Sequence, residues 1–127
     1  HKKDLPAISW VYPRGGKVPE LGGDSTRETV AYAARIGMEL GADAVKIKYP
    51  GNVEDFKWAV AAAGKSHVFM SGGPKTETDE DFLKLVTGVM DAGATGVAVG
   101  RNVWQHSDPL SITQKLKEVI FEGKRVV

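Results

Sequence analysis

The clearest chemistry in this sequence belongs to two lysines two residues apart, Lys46 and Lys48 in Ala44-Val45-Lys46-Ile47-Lys48-Tyr49. In an extended chain successive side chains alternate sides, so both amines share one face while Val45, Ile47 and Tyr49 share the other. On an antiparallel strand the lysine face would simply be solvated. On a parallel strand covered by helices the lysines point inward, and an amine drawn out of water beside a second cation becomes a nucleophile toward a carbonyl carbon. Carbon–carbon cleavage through the resulting imine needs a proton carrier, and Tyr12 has the same strand parity as Ile8 and Trp10. Spacing does not choose between Lys46 and Lys48. It also leaves Trp10 and Tyr12 readable as an aromatic pair in a core.

A second chemistry is anion binding. Ser71-Gly72-Gly73 and Gly100-Arg101-Asn102 are glycine-rich exits from two apolar runs, where backbone N–H groups can approach a phosphate closely. A short helix begun at Gly100 would point its N-terminus at the anion, and Arg101 would add a planar fork of donors. Lys75 reads as a solvated loop lysine. The sequence has no cysteine, and His1, His67 and His106 lack ligand spacing, so neither a metal site nor a cofactor is expected.

The elements that must position these groups follow from periodicity. Ala7–Tyr12 reads as a strand ending at Pro13-Arg14-Gly15-Gly16. A long loop then runs to Ser25, which with Glu28 makes a capping box for a helix ending at Gly41. The lysine strand comes next, then a helix over Val53–Ala63 stopped by Gly64. His67–Met70 is a third strand, and Thr78 or Asp79 caps a helix that closes at Ala92-Gly93-Ala94. Gly96–Val99 is the fourth strand, Ser111–Phe121 the last helix, and Lys124–Val127 a loose tail. Strands alternating with helices at about 30 residues mean a parallel sheet with crossover helices. The fold class is therefore α/β, with residues 1–127 forming one (β/α)4 unit. Catalytic groups of such barrels gather at the carboxyl ends of the strands, where both glycine loops lie.

Composition narrows the setting. The 127 residues, 42% hydrophobic with a formal charge of +1, suit one globular unit with no broad field for nucleic acid. No run is long enough for a membrane span, and the polar start is no signal peptide, which together point to the cytoplasm.

Trp10-Val11-Tyr12-Pro13-Arg14-Gly15-Gly16, Gly41-Ala42-Asp43-Ala44-Val45-Lys46, Ser71-Gly72-Gly73-Pro74-Lys75 and Gly96-Val97-Ala98-Val99-Gly100-Arg101-Asn102 together resemble the archaeal-type class I fructose-1,6-bisphosphate aldolases. The resemblance covers nearly the whole chain, with four motifs in order. It implies that Lys46 forms the Schiff base and Tyr12 transfers the proton. It places Trp10, Arg14 and Lys48 in the substrate pocket, and Ser71, Gly72, Gly73, Gly100 and Arg101 around a substrate phosphate. The implied reaction is reversible cleavage of fructose 1,6-bisphosphate to dihydroxyacetone phosphate and glyceraldehyde 3-phosphate. A related transaldolase-like enzyme, 2-amino-3,7-dideoxy-threo-hept-6-ulosonate synthase, and a non-catalytic sugar-phosphate-binding half-barrel are the alternatives. Family members are TIM (β/α)8 barrels of roughly 250 residues, and this chain resembles their strands five to eight. The expected partners are a sugar phosphate and either the missing amino-terminal half-barrel or a second copy of the chain, giving a homo-oligomer. The stretch Pro19–Gly23 is longer than the resemblance leads one to expect.

Overall fold

The computed structural model describes all 127 residues. Its centre is β2 (Ala44–Ile47), flanked by β1 (Ile8–Trp10) and β3 (His67–Ser71), with β4 (Gly96–Ala98) beyond, in the order β1-β2-β3-β4. All three pairings are parallel, with Trp10 and Phe69 opposite Lys46. Parallel neighbours need crossovers. These are α1 (Arg27–Glu39), α2 (Val53–Ala62) and α3 (Asp79–Asp91), and after β4 come the short α4 (Arg101–Trp104) and α5 (Pro109–Phe121).

Strand parity divides the sheet as the lysine pattern demands. Val45 and Ile47 are wholly buried under α1 and α2, in one cluster with Val30, Ala34, Phe56 and Ala59. Each such aliphatic side chain contributes about 1.5–3 kcal/mol by leaving water. Tyr49 follows the same parity and meets Phe56 edge-on at 5.2 Å. A second cluster joins Phe82 and Val86 of α3 to Ile112, Leu116 and Val119 of α5. The opposite face of the sheet carries no helix, and there Ile8 is 57% and Trp10 69% exposed.

Several boundaries differ from the sequence expectations, each for a local reason. Strand β1 is shorter than Ala7–Tyr12, although Val11 N–H still donates to the Lys46 carbonyl at 3.0 Å. Ser25 does not cap α1, because its hydroxyl turns to Asp24. Thr26 takes that role, its Oγ1 accepting from Thr29 N–H. Helix α5 starts earlier than Ser111, because Asp108 accepts from Ser111 N–H and Pro109 fits the first turn. The tail is not loose: Arg125 pairs with Asp91 at 2.6 Å and Val126 N–H donates to Thr87 Oγ1, which ties it to α3. No helix is long and apolar enough to cross a membrane.

Candidate active site

Lys46 emerges on the uncovered face of β2, and its Nζ lies 3.9 Å from the centre of the Trp10 ring. The register explains the contact, since Trp10 and Lys46 are direct neighbours across β1 and β2. An ammonium over an indole face is attracted by the ring quadrupole. Tyr12, two residues on along the same face, reaches past the end of β2 and donates its hydroxyl hydrogen to Ser71 Oγ at 3.2 Å. The carboxyl ends of β1, β2 and β3 thus converge on one mouth.

Lys48 sits at that mouth with different company. Its Nζ donates to Asp24 Oδ2 at 2.6 Å, and Arg14 Nη1 lies 3.7 Å from the same oxygen. The hydrogen bond from Lys48 holds the Asp24 carboxyl below its ordinary range, outweighing the opposing effect of burial, with the charges of Lys48 and Arg14 adding to it. Lys48, expected as the cation neighbour of Lys46, is thus paired with a carboxylate. Burial, by contrast, raises the Tyr49 hydroxyl above its usual value.

The two glycine exits are stitched together. Arg101 Nη2 donates to the Gly73 carbonyl at 2.6 Å. Asn102, buried beside it, accepts from Thr76 N–H and donates to the Pro74 carbonyl. Lys75 is exposed as expected, yet its Nζ reaches the Gln105 carbonyl at 2.8 Å. The glycines have distinct reasons. A Cβ on Gly72 would come within 2.8 Å of Val99 Cα, and one on Gly100 would collide with the Trp104 ring. Gly73 has open space beside it and a φ of +58°, a conformation that side chains disfavour. The backbone N–H groups of Gly73 and Arg101 donate to no backbone acceptor in the chain.

Of the residues singled out from sequence, Lys48, Ser71, Gly72 and Gly73 line one cleft of about 370 Å³ at the mouth. Lys46 and Trp10 stand on the open face next to it. Arg14 and Tyr12 line a separate cleft of about 720 Å³ against α1. Asp24 and Asn102 were not assigned from sequence. Asn102 belongs to the quoted glycine motif, but nothing in the loop Gly22-Gly23-Asp24-Ser25 marks Asp24 as facing a lysine.

A parallel β/α sheet with a lysine on its inner face, a tyrosine at the mouth and glycine-rich exits on neighbouring strands is the architecture of the Schiff-base barrel aldolases. The chain belongs to the DeoC/LacD family aldolase group, whose pattern it matches over residues 1–106. Among its relatives, the class 1 fructose-bisphosphate aldolase of Thermoproteus tenax is 58% identical over 125 residues, covering 98% of this chain and 46% of that protein. The class 1 fructose-bisphosphate aldolase of Halobacterium salinarum is 50% identical over 123 residues, covering 97% of this chain and 45% of that one. The fold superimposes on an archaeal fructose 1,6-bisphosphate aldolase with a TM-score of 0.91 at 59% identity, over 96% of this chain and 47% of the other. A second archaeal fructose-1,6-bisphosphate aldolase, whose catalytic lysine is covalently bound to a carbinolamine intermediate, matches with a TM-score of 0.89 at 58% identity. The chain therefore spans just under half the length of these relatives, as one (β/α)4 half of the aldolase barrel.

Proposed function

We propose that residues 1–127 are one (β/α)4 unit of a class I fructose-1,6-bisphosphate aldolase, active when a second half-barrel closes over its open face. The carrying observation is the placement of Lys46 on that face against Trp10, with the Tyr12 hydroxyl held by Ser71 at the same mouth. In this reading the Lys46 amine attacks the ketose carbonyl, water leaves, and the protonated imine accepts the electron pair of the C3–C4 bond as it breaks. Tyr12 gives its hydroxyl proton to the carbinolamine oxygen that departs as water and, as the phenolate, takes the proton from the C4 hydroxyl, which leaves as the aldehyde of glyceraldehyde 3-phosphate. Protonation of the enamine and hydrolysis of the imine then release dihydroxyacetone phosphate. Trp10, Arg14 and Lys48 face the substrate, while Ser71, Gly72, Gly73, Gly100 and Arg101 hold a phosphate through backbone N–H groups and the guanidinium. The second half is either the complementary half-barrel or another copy of this chain. The length of the relatives supports this reading, as do the unpaired edges of β1 and β4.

Borohydride reduction in the presence of dihydroxyacetone phosphate, applied to the completed barrel, should fix the ligand's mass on the peptide containing Lys46. Lys46→Met should abolish it, and label on Lys48 would refute the assignment. Because the imine is the electron sink, a chelator should leave cleavage unchanged; activity lost to chelation and restored by zinc would overturn the mechanism.

A further inference from the structure

The segment between β1 and α1, residues 13–25, is held to itself rather than to the molecule. Its backbone bonds are local, such as Val18 N–H to Gly15 and Gly23 N–H to Val18. The cleft of about 720 Å³ separates its Val18 and Leu21 from Tyr32 and Ile36 of α1. One hydrogen bond leaves the segment, and it joins Asp24 to Lys48. Gly22 and Gly23, with φ of +83° and +108°, immediately precede Asp24, so the backbone there is among the least restricted in the segment.

Asp24 also changes what the mouth offers an anion. Lys48 and Arg14 carry two positive charges, and the Asp24 carboxylate between them at 2.6 and 3.7 Å offsets one. A second carboxylate gains little by exchanging with the one already there. A phosphoryl group, carrying about −1.5 to −2 at neutral pH and three acceptor oxygens, gains considerably. We propose that Asp24 competes internally for Lys48 and Arg14 and sets a threshold for anion binding there, so that this cation pair opens to a phosphoryl dianion and not to a carboxylate, and the dianion's arrival unlatches residues 13–25. The inference rests on reading Lys48 and Arg14 as substrate-binding residues.

The test is titration of the chain with inorganic phosphate, followed by NMR, in the wild type, Asp24→Asn, Asp24→Ser and Asp24→Asn combined with Lys48→Met. Removing the carboxylate should tighten phosphate binding on the order of tenfold, the size of one unit charge a few ångströms away in a partly hydrated site. Acetate, which gains too little to displace the Asp24 carboxylate in the wild type, should bind measurably only in the two single variants. The gain should vanish in the double variant. Amides 17–23 should exchange faster in the wild type once phosphate is added, and should exchange fast in Asp24→Asn without it. Weaker or unchanged phosphate binding in both single variants would make Asp24 a mere support for Lys48 and overturn the proposal. So would a gain that survives Lys48→Met, or phosphate binding by none of the four proteins. Borohydride trapping at Lys46, scored separately, reports on the aldolase reading alone: its loss with the Asp24 effect intact refutes that reading and leaves the gated subsite standing.

Discussion

Lys46 and Lys48 sit on one strand face, yet each ammonium has a different neighbour, and the tasks we propose for them divide accordingly. Lys46 is half-buried against an aromatic face with no carboxylate partner, which suits the amine we propose to attack a carbonyl. Lys48 has a carboxylate, which suits a group that exchanges one anion for another. Tyr12 is the remaining actor at this scale. Tyr12→Phe keeps the ring and removes the proposed proton carrier, so imine trapping should persist while turnover falls roughly a hundredfold or more. Normal turnover in single-cycle kinetics would make Tyr12 a packing residue that happens to touch Ser71. Arg101→Ala should raise KM for phosphorylated substrates while leaving kcat close to wild type, since the side chain is assigned to the phosphate and not to the reacting carbons. An equal rise for a non-phosphorylated ketose would reduce its role to the bond with the Gly73 carbonyl.

Elements place these residues through two kinds of contact. Strand β2 is seated by Val45 and Ile47, so Ile47→Ala should destabilise the unit by about 2–5 kcal/mol in chemical denaturation, with a loss under 1 kcal/mol speaking against the helix-covered face. At the other end of the sheet, α3 is tied to the α4–α5 connection by Asp79, which meets His106 at 2.8 Å and Lys115 at 3.2 Å. Burial pushes the Asp79 carboxyl upward, but the hydrogen bonds from Lys115 and His106 outweigh it, and the net shift is downward. A carboxyl whose folded value lies below its unfolded one stabilises the fold above the unfolded value, and that contribution fades as pH falls through the folded value. Asp24 shifts in the same direction. Thermal stability should therefore decline as pH drops below the ordinary carboxylate range. Asp79→Asn should lower Tm at neutral pH and have little effect at the acidic end, by no more than about 1 kcal/mol because the pair is partly exposed. A constant offset between the two proteins across pH would show that the ion pairs contribute nothing.

At the scale of the molecule the open sheet dominates. A closed barrel fills its inward face with layers of side chains and has no edges, whereas here Ile8 and Trp10 face outward and β1 and β4 each present an unpaired edge. An exposed face of this kind is costly in water. The 127-residue chain should accordingly sediment as a pair, or as a complex with a complementary half-barrel, and should cleave fructose 1,6-bisphosphate feebly alone. A well-behaved monomer with full activity would show that four strands suffice.

The sequence by itself determined the alternation of strands and helices and the side of β2 on which the amines lie, because strand periodicity is a local property that burial of Val45 and Ile47 enforces. It also located the glycine exits, since those turns need residues without side chains. Choosing Lys46 over Lys48 required a resemblance, because identical parity gives identical local signals. Only the tertiary structure decided that Asp24 faces Lys48, that Asn102 joins the two glycine loops, and that the tail docks on α3. Each of these depends on side chains distant in sequence meeting where loops fold back, and a loop carries no periodicity from which such a meeting can be read.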